Sequence, residues 1–434
     1  MSVYWAEYAW LPEGLAESVS IDVDGGVIRS VAVSAERSGN VLPGLTVPGF
    51  ANAHSHAFHR ALRGRTHHDR GTFWTWRERM YAVAARLDPD SYYRLARGVY
   101  AEMMLAGYTS VGEFHYLHHG PGGVPYDDPN AMSAALSAAA QDAGIRLTLL
   151  DTCYLSGGFG WKLDEHQRRF SDGDVGAWAE RAATFTPKSD LVRTGVAAHS
   201  VRAVPPGALR VVAQQAAGRP VHVHVSEQPA ENRDCMAAHG RTPTALLAET
   251  GMLGPSTTAV HATHVTEADI RLIAGMRARV CFCPTTERDL GDGIGPARAL
   301  ADAGVRLCLG SDSHAVVDAF EEWRALELNE RLASGSRGRF ELAQLYSAAT
   351  DHASIGWPEV GRIEAGAAAD LVTIDLDSVR TAGTDPAAAL YAATASDVRA
   401  VLIAGKAVVS EHRHLRLEAP EAVLRSEIEA LLKA

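Results

Sequence analysis

Three features of the 434-residue sequence predict an α/β fold. Eight short apolar, β-branched runs alternate with longer helical stretches through the middle of the chain. Segments that alternate polar with apolar residues are confined to the two ends, and the length exceeds that of a single small domain. Strand–helix alternation argues for a parallel sheet, and eight repeats argue for a closed (β/α)8 barrel of the TIM type. The barrel is expected over residues 46–359, with residues 1–45 and 360–434 meeting in one small composite β-sandwich domain.

Taken in order, Ser20-Ile-Asp-Val-Asp and Val27-Ile-Arg-Ser-Val alternate with a period of two and are broken by Gly and Asp, the pattern of antiparallel strands. The eight barrel strands are expected at Leu45–Ala53, Thr109–Phe114, Leu147–Cys153, Val192–Ala198, Pro220–Val225, Thr258–Ala262, Arg279–Cys283 and Arg306–Gly310. Between them, Ser91–Leu105, Pro129–Ala143, Thr244–Glu249 and Pro296–Ala303 carry helical spacing. The fifth strand, Pro220-Val-His-Val-His-Val, is near-continuously apolar, as suits a strand covered on both faces. Leu371-Val-Thr-Ile-Asp returns to the alternating pattern, and a last helix is expected from about Pro420 to Leu432.

Composition narrows the class. Apolar residues make up 47% and charged residues 21%, as in an ordinary globular enzyme, and the formal charge of −11 gives no support to a nucleic-acid or anionic-membrane partner. The N-terminus has no basic region followed by an apolar stretch, and no apolar run is long enough to span a bilayer, so a cytoplasmic protein is expected. The five cysteines are odd in number and thinly spread, which argues against a disulfide framework. Cys281 and Cys283, separated by one residue with no second pair, read as small buried apolar residues rather than a structural zinc site.

Chemistry in such a barrel sits at the carboxyl ends of the strands. The first strand ends Asn52-Ala-His54-Ser-His56, the fifth His222-Val-His224-Val-Ser-Glu227, the sixth carries His261-Ala-Thr-His264, and the eighth ends Gly310-Ser-Asp312-Ser-His314. Alternate strand residues share a face, so His54 and His56 both point to the barrel axis. Two histidines from one strand, a third from another and an aspartate from the last can converge on one divalent ion, zinc or ferrous iron, with room left for a water. Such an ion brings the pKa of that water toward neutrality. His264 reads as a strand-end cap or a partner of a carboxylate, and His314 either lines the pocket or packs.

Pro48-Gly-Phe-Ala-Asn-Ala-His-Ser-His, His224-x-x-Glu227, His261 and Asp312 resemble the pattern of the amidohydrolase superfamily, in its deaminase branch. Gly361-Arg-Ile-Glu-Ala-Gly-Ala-Ala-Ala-Asp-Leu and Val401-Leu-Ile-Ala-Gly-Lys-Ala-Val are similar to the segments that complete that family's β-sandwich, so the resemblance covers nearly the whole chain. It implies one metal, most readily zinc, held by His54, His56, His224 and Asp312. Binuclear relatives bridge two metals with a modified lysine, and Lys162, Lys188, Lys406 and Lys433 all lie away from the expected strand ends. His222 is then a packed imidazole or a partner of a ligand. The resemblance further implies that Glu227 shuttles a proton to the substrate nitrogen. It also implies that His261 bonds the attacking hydroxide and that Asp312 passes a proton to the leaving ammonia. A homodimer is implied by the resemblance alone.

Within that branch, four segments resemble the family of formimidoylglutamate deiminases. They are Phe73-Trp-Thr-Trp-Arg77-Glu-Arg-Met-Tyr, Glu113-Phe-His-Tyr116-Leu-His-His, Ala198-His199-Ser-Val-Arg202-Ala-Val, and Cys283-Pro-Thr-Thr-Glu-Arg-Asp-Leu-Gly-Asp-Gly293. Purine deaminases and triazine hydrolases read Pro-x-Ser-Asn where this chain has Pro284-Thr-Thr-Glu287. The implied reaction is hydrolysis of N-formimidoyl-L-glutamate to N-formyl-L-glutamate and ammonia, without an organic cofactor. A small dicarboxylate calls for arginines, whose planar forks bind carboxylate in bidentate fashion. Arg77 and Arg202, in loops on the catalytic face, fit that need, with Tyr116 and His199 as further donors. The family reads His-Ala-Phe-Gln where this chain has His56-Ala-Phe-His59, so His59 is the expected substitute contact and a related amidine acid stays open as the substrate. The basic stretch Arg60, Arg63, Arg65, His67 and His68 reads as solvated surface or as part of a substrate loop. The rivals are a deaminase of purine or pterin rings, which needs a neutral aromatic pocket, and a non-catalytic barrel, which has no use for a complete ligand set.

Overall fold

The computed structural model describes residues 1–67 and 73–433, excepting the side chains of Phe73 and Trp74. Two eight-stranded sheets organise them. The first is mixed and is made by both chain ends: β1 (Ser2–Leu11), β2 (Gly14–Asp24), β3 (Val27–Ala32) and β4 (Asn40–Pro48) from the N-terminal side. From the C-terminal side it takes β13 (Leu371–Ile374), β14 (Val398–Ile403), β15 (Lys406–Ser410) and β16 (Arg413–His414). Its strand order is β16-β15-β14-β13-β4-β1-β2-β3. The sheet bends on itself, since Val27 bridges Ala368 and the Tyr4 hydroxyl donates to the Gly405 carbonyl at 2.8 Å. Val19, Ile21, Ile28, Leu371 and Leu402 are buried together in the fold so formed. The expected sandwich is therefore one continuous curled sheet.

The second sheet is the barrel. Its parallel strands run in sequence order: β5 (Phe50–Ser55), β6 (Tyr108–His115), β7 (Arg146–Cys153), β8 (Val192–Ser200), β9 (Val221–Val225), β10 (Thr257–His261), β11 (Arg279–Phe282) and β12 (Arg306–Leu309). Helices follow the strands, including Pro89–Leu105, Ala131–Ala143, Pro243–Glu249 and Ala297–Asp302, close to where helical spacing placed them. Asp88 starts the first of these in a capping box with Ser91, and Pro89 sits where no backbone N–H is needed. The last helix spans Pro420–Lys433. Among the described residues no helix is long and apolar enough to cross a membrane, and all five cysteines are buried and free.

One expected element divides. The run Leu45–Ala53 is two strands, β4 pairing with β1 and β13 in the terminal sheet and β5 with β6 in the barrel. The chain changes sheets at Gly49, where a Cβ would lie 2.2 Å from the Thr109 hydroxyl oxygen. The buried Arg146 guanidinium donates twice to Asp370, at 2.7 and 2.9 Å, and ties the barrel to the terminal sheet.

The barrel closes between β5 and the residues just after β12. Asp312 N–H donates to the His54 carbonyl at 2.9 Å, and His56 N–H donates to the Asp312 carbonyl at 3.2 Å. Gly310 makes this approach possible, because a Cβ there would stand 2.8–2.9 Å from His54 Cβ, O and N. The seam that shuts the barrel thus carries two expected metal ligands on one strand and a third on the other.

Candidate active site

At the carboxyl end of β5, His54 and His56 both face inward as the period of two requires. His56 Nδ1–H donates to the Phe114 carbonyl and His224 Nδ1–H to the His199 carbonyl, each at 2.9 Å. A carbonyl only accepts, so both rings carry their proton on Nδ1 and present a bare Nε2 to the centre. His224 Nε2 lies 3.0 Å from His54 Nε2. Asp312 Oδ1 is 3.2 Å from His54 Nε2 and 3.3 Å from His56 Nε2. Nitrogen and oxygen ligands about 2.1 Å from one ion stand roughly 3.0–3.4 Å from each other, so these spacings fit a metal centre. The ligand atoms of His54, His224, His261 and Asp312 all fall within 4.8 Å of one another, as do those of His56, His59 and Asp312.

The electrostatics agree with the geometry. Burial pushes His54 down to about 3 and His224 well below the ordinary histidine value, which keeps both neutral and able to ligate. Burial would raise Asp312, but hydrogen bonding to His54 and His56 holds it well below the usual carboxylate range. For His261, burial is outweighed by the carboxylates of Glu227, Glu287 and Asp312, which lift it to about 10. Its Nε2 is 3.8 Å from both Glu227 Oε1 and Asp312 Oδ2. Glu287, whose role the sequence did not reveal, backs this ring from 3.5 Å at Nδ1 and accepts from Cys283 N–H at 2.9 Å.

The segments that deliver these groups leave regular strand geometry. Ser226, His261, Ala262, Asp312 and His314 hold left-handed backbone at φ of 51°, 70°, 49°, 40° and 57°. Side chains without glycine's freedom rarely sit there, and such positions cluster at functional sites. The turn after His56 is fixed by Glu113, which accepts from Ala57 N–H at 2.6 Å and Ser55 Oγ–H at 2.8 Å. Burial pushes that carboxyl up to about 7.

The centre opens into a narrow cavity of about 70 Å³. His56, His59, His199, His224, His261, Glu227, Asp312, Arg77 and Arg202 all line it. His54 lies beneath the cavity floor and is fully buried. Tyr116 and His59 meet at 3.0 Å between hydroxyl and Nε2. The structure therefore gathers every candidate site residue of the sequence around one space. It adds Trp76, Met80, Tyr81, Tyr154, Phe170 and Leu290 as walls. Tyr154 follows β7 directly and so carried the same strand-end signal, whereas nothing local marks Phe170 or Leu290.

Other histidines fall outside. His222, one layer below His224, is buried and donates from Nε2 to the Ser354 carbonyl at 3.0 Å. His264 donates to the Asp292 carbonyl at 2.8 Å, a packing role. His314 does not line the cavity; its Nε2 meets Ser55 Oγ at 2.9 Å behind the seam. Arg60 and Arg63 are tied to Glu102 at 2.7 and 2.6 Å and His67 lies 3.2 Å from Asp289, while His68 lies outside the described residues. None of the four lysines lines the cavity.

Comparison with known proteins gives the same picture. Residues 45–408 match the amidohydrolase family. The chain is 38% identical to the formimidoylglutamate deiminase of Pseudomonas aeruginosa, over 95% of its own length and 96% of that protein. An amidohydrolase from Brucella melitensis superposes with a TM-score of 0.93 at 33% identity, covering 100% of both chains. An adenosine deaminase from Xanthomonas campestris with bound zinc superposes with a TM-score of 0.84 at 25% identity, covering 100% of this chain and 98% of that one. Matched to that family over most of its length and built on the same fold, the chain belongs to the amidohydrolase family.

Proposed function

We propose that this protein hydrolyses the formimino group of N-formimidoyl-L-glutamate, giving N-formyl-L-glutamate and ammonia. The observation that carries the reading is that two arginines, two carboxylates and the histidine cluster line one cavity of about 70 Å³. Arg77 and Arg202 offer two guanidinium forks, matched to the two carboxylates of a dicarboxylate. Glu227, Asp312 and the histidine cluster line the same cavity and suit the amidine end of such a substrate. The small volume of the cavity, about 70 Å³, favours a small acyclic ligand over a nucleoside. The 38% identity to the Pseudomonas aeruginosa formimidoylglutamate deiminase supports the same choice.

A divalent ion held by His54, His56, His224 and Asp312 supplies Lewis acidity that makes an attacking water nucleophilic near neutral pH. Glu227 takes a proton from the attacking water and gives it to the formimino nitrogen as the carbon becomes tetrahedral. His261, held protonated by the carboxylates around it, offers Nε2–H to the oxygen at the reacting carbon. Asp312 takes up the remaining proton of that water and passes it to the departing nitrogen, which leaves as ammonia as the formyl carbonyl forms. Tyr116, His59 and His199 donate or accept along the carboxylate-bearing chain. Zinc as a single ion, a homodimer as the assembly and the cytoplasm as the compartment belong to the same proposal. They rest on the family resemblance and, for zinc, on the zinc-bound adenosine deaminase.

The test is ammonia release from N-formimidoyl-L-glutamate by metal-replete protein, with Glu227→Gln beside it. Loss of a general acid–base group predicts a fall of about 10²–10⁴-fold in kcat with metal content unchanged. No release by the metal-loaded native protein would sink the substrate assignment.

A further inference from the structure

Glu231 sits in the helix Pro229–His239, one turn beyond Glu227, and is buried. Both of its carboxylate oxygens lie out of solvent without a hydrogen bond of regular geometry, the Ser226 backbone N–H being the one backbone group that favours the charged form, and the Nε of Arg202 is likewise unbonded. The two groups face each other, Arg202 Nε standing 3.6 Å from Glu231 Oε2. A buried carboxylate so sparsely hydrogen-bonded is costly and persists beside a compensating charge. Burial pushes the Glu231 carboxyl up to about 7, and Arg202 is the strongest influence opposing that rise. The separation exceeds that of a formed hydrogen bond, so the guanidinium is restrained on one side without being saturated.

Arg202 follows β8 and Glu231 follows β9, so the pair links two neighbouring loops of the catalytic face. Arg202 borders the cavity, and Glu231 does not. A guanidinium is a planar fork whose Nε side and terminal side cannot serve one carboxylate together. With Nε turned to Glu231, the two terminal nitrogens are the edge left for a ligand.

We propose that Glu231 is a positioning residue for carboxylate recognition: it faces the Nε side of Arg202 and so presents the terminal edge of the guanidinium to the substrate's carboxylate. The inference rests on the reading of Arg202 as a substrate-binding residue. Glu231 lines neither the cavity nor the metal-ligand cluster, so its main effect falls on binding.

The experiment is a double-mutant cycle of Glu231→Gln and Arg202→Gln in the metal-loaded enzyme, with Glu231→Asp as the conservative variant. Freeing one long side chain predicts a KM for N-formimidoyl-L-glutamate raised about tenfold in Glu231→Gln, with kcat within about twofold. Glu231→Asp recovers part of the loss. In the Arg202→Gln background, Glu231→Gln changes KM by less than about twofold, because the group it positions is gone. Three results would overturn the proposal: a fall in kcat with KM unchanged, which would route the effect through Glu227; a KM lower than native, which would make Glu231 a competitor for Arg202; or effects that multiply in the double variant. A crystal structure of metal-loaded Glu231→Gln reads the same point without turnover. Arg202 displaced from the cavity wall supports the proposal and Arg202 unmoved refutes it, even if the native protein releases no ammonia from this substrate.

Discussion

Gly310→Ala tests whether the seam that closes the barrel also sets the metal centre. The added methyl would stand 2.8 Å from His54 Cβ and O and 2.9 Å from His54 N. Carbon contacts settle at about 3.5–4.0 Å, so the two chain segments must part by roughly 1 Å. Two of the three clashing atoms are backbone and cannot rotate away. Overpacking of this kind costs about 1–3 kcal/mol. The hydrogen bonds from Asp312 N–H to the His54 carbonyl and from His56 N–H to the Asp312 carbonyl, at 2.9 and 3.2 Å, stretch with it. Each contributes about 1 kcal/mol. We expect the metal-free protein to lose about 3 kcal/mol, or about 3 °C in melting temperature. A shift of about 1 Å also exceeds the roughly 0.5 Å within which a site must be held, so metal affinity should fall by at least about tenfold. Thermal unfolding and competition with a chromophoric chelator measure the two effects. A variant that melts within about 1 °C of native and binds metal equally well would refute the reasoning, because the seam would then be compliant.

Three other perturbations have defined outcomes. Burial lowers His118, His222 and His352 to about 4 from an ordinary 6.5. The unfolded chain therefore takes up these protons first, and stability present above pH 6.5 is lost as pH falls toward 4, at about 1.4 kcal/mol per pH unit for each group. Urea unfolding between pH 7 and 4.5 should show that slope, and a flat profile would contradict it. Arg181 bonds Asp151 through two nitrogens at 2.8 Å and Asp172 at 2.8 and 3.0 Å. Arg181→Met removes the charge that compensates both carboxylates, leaving Asp151 the hydrogen bond from Trp178 and Asp172 that from His119, each at 2.9 Å, and should destabilise by about 3 kcal/mol, against which a loss below about 1 kcal/mol would count. Dialysis against a strong chelator should abolish activity and lower the melting temperature, and added zinc should restore both; full activity in verified metal-free protein would exclude the metal role.

The barrel and the cluster of candidate ligands were legible because their signals are local and periodic. His54, His56 and His224 lie on regular strands, where the alternation of faces decides their direction. The same parity fails at His314, because left-handed backbone at Asp312 ends the regular geometry and turns the next residues behind the seam. The split of Leu45–Ala53 was hidden because β4 near its end and β5 are both buried on both faces, so one apolar run spans two sheets. Only Pro48-Gly49 marked the change. Glu113 lay in a segment noted for its family resemblance, yet its hold on the Ser55–Ala57 turn depends on contacts across β5 and β6 that no spacing encodes. Glu287 and Glu231 were invisible for the same reason: each acts on a partner more than twenty residues away.

The left-handed backbone at Ser226, His261, Ala262, Asp312 and His314 bears on how this protein can be evolved in the laboratory. Each such residue opposes folding by about 1 kcal/mol. Glycine at any of the five relaxes the chain, and at His261 or Asp312 it also removes a functional group. Selection for heat resistance alone will therefore enrich inactive sequences, because the route to a higher melting point runs through the catalytic rim. A library meant to yield a robust enzyme should hold these five positions constant and draw its diversity from the curled terminal sheet and the outer helices. Inactive variants relaxed at the rim would in turn be favourable subjects for trapping a bound ligand in crystals.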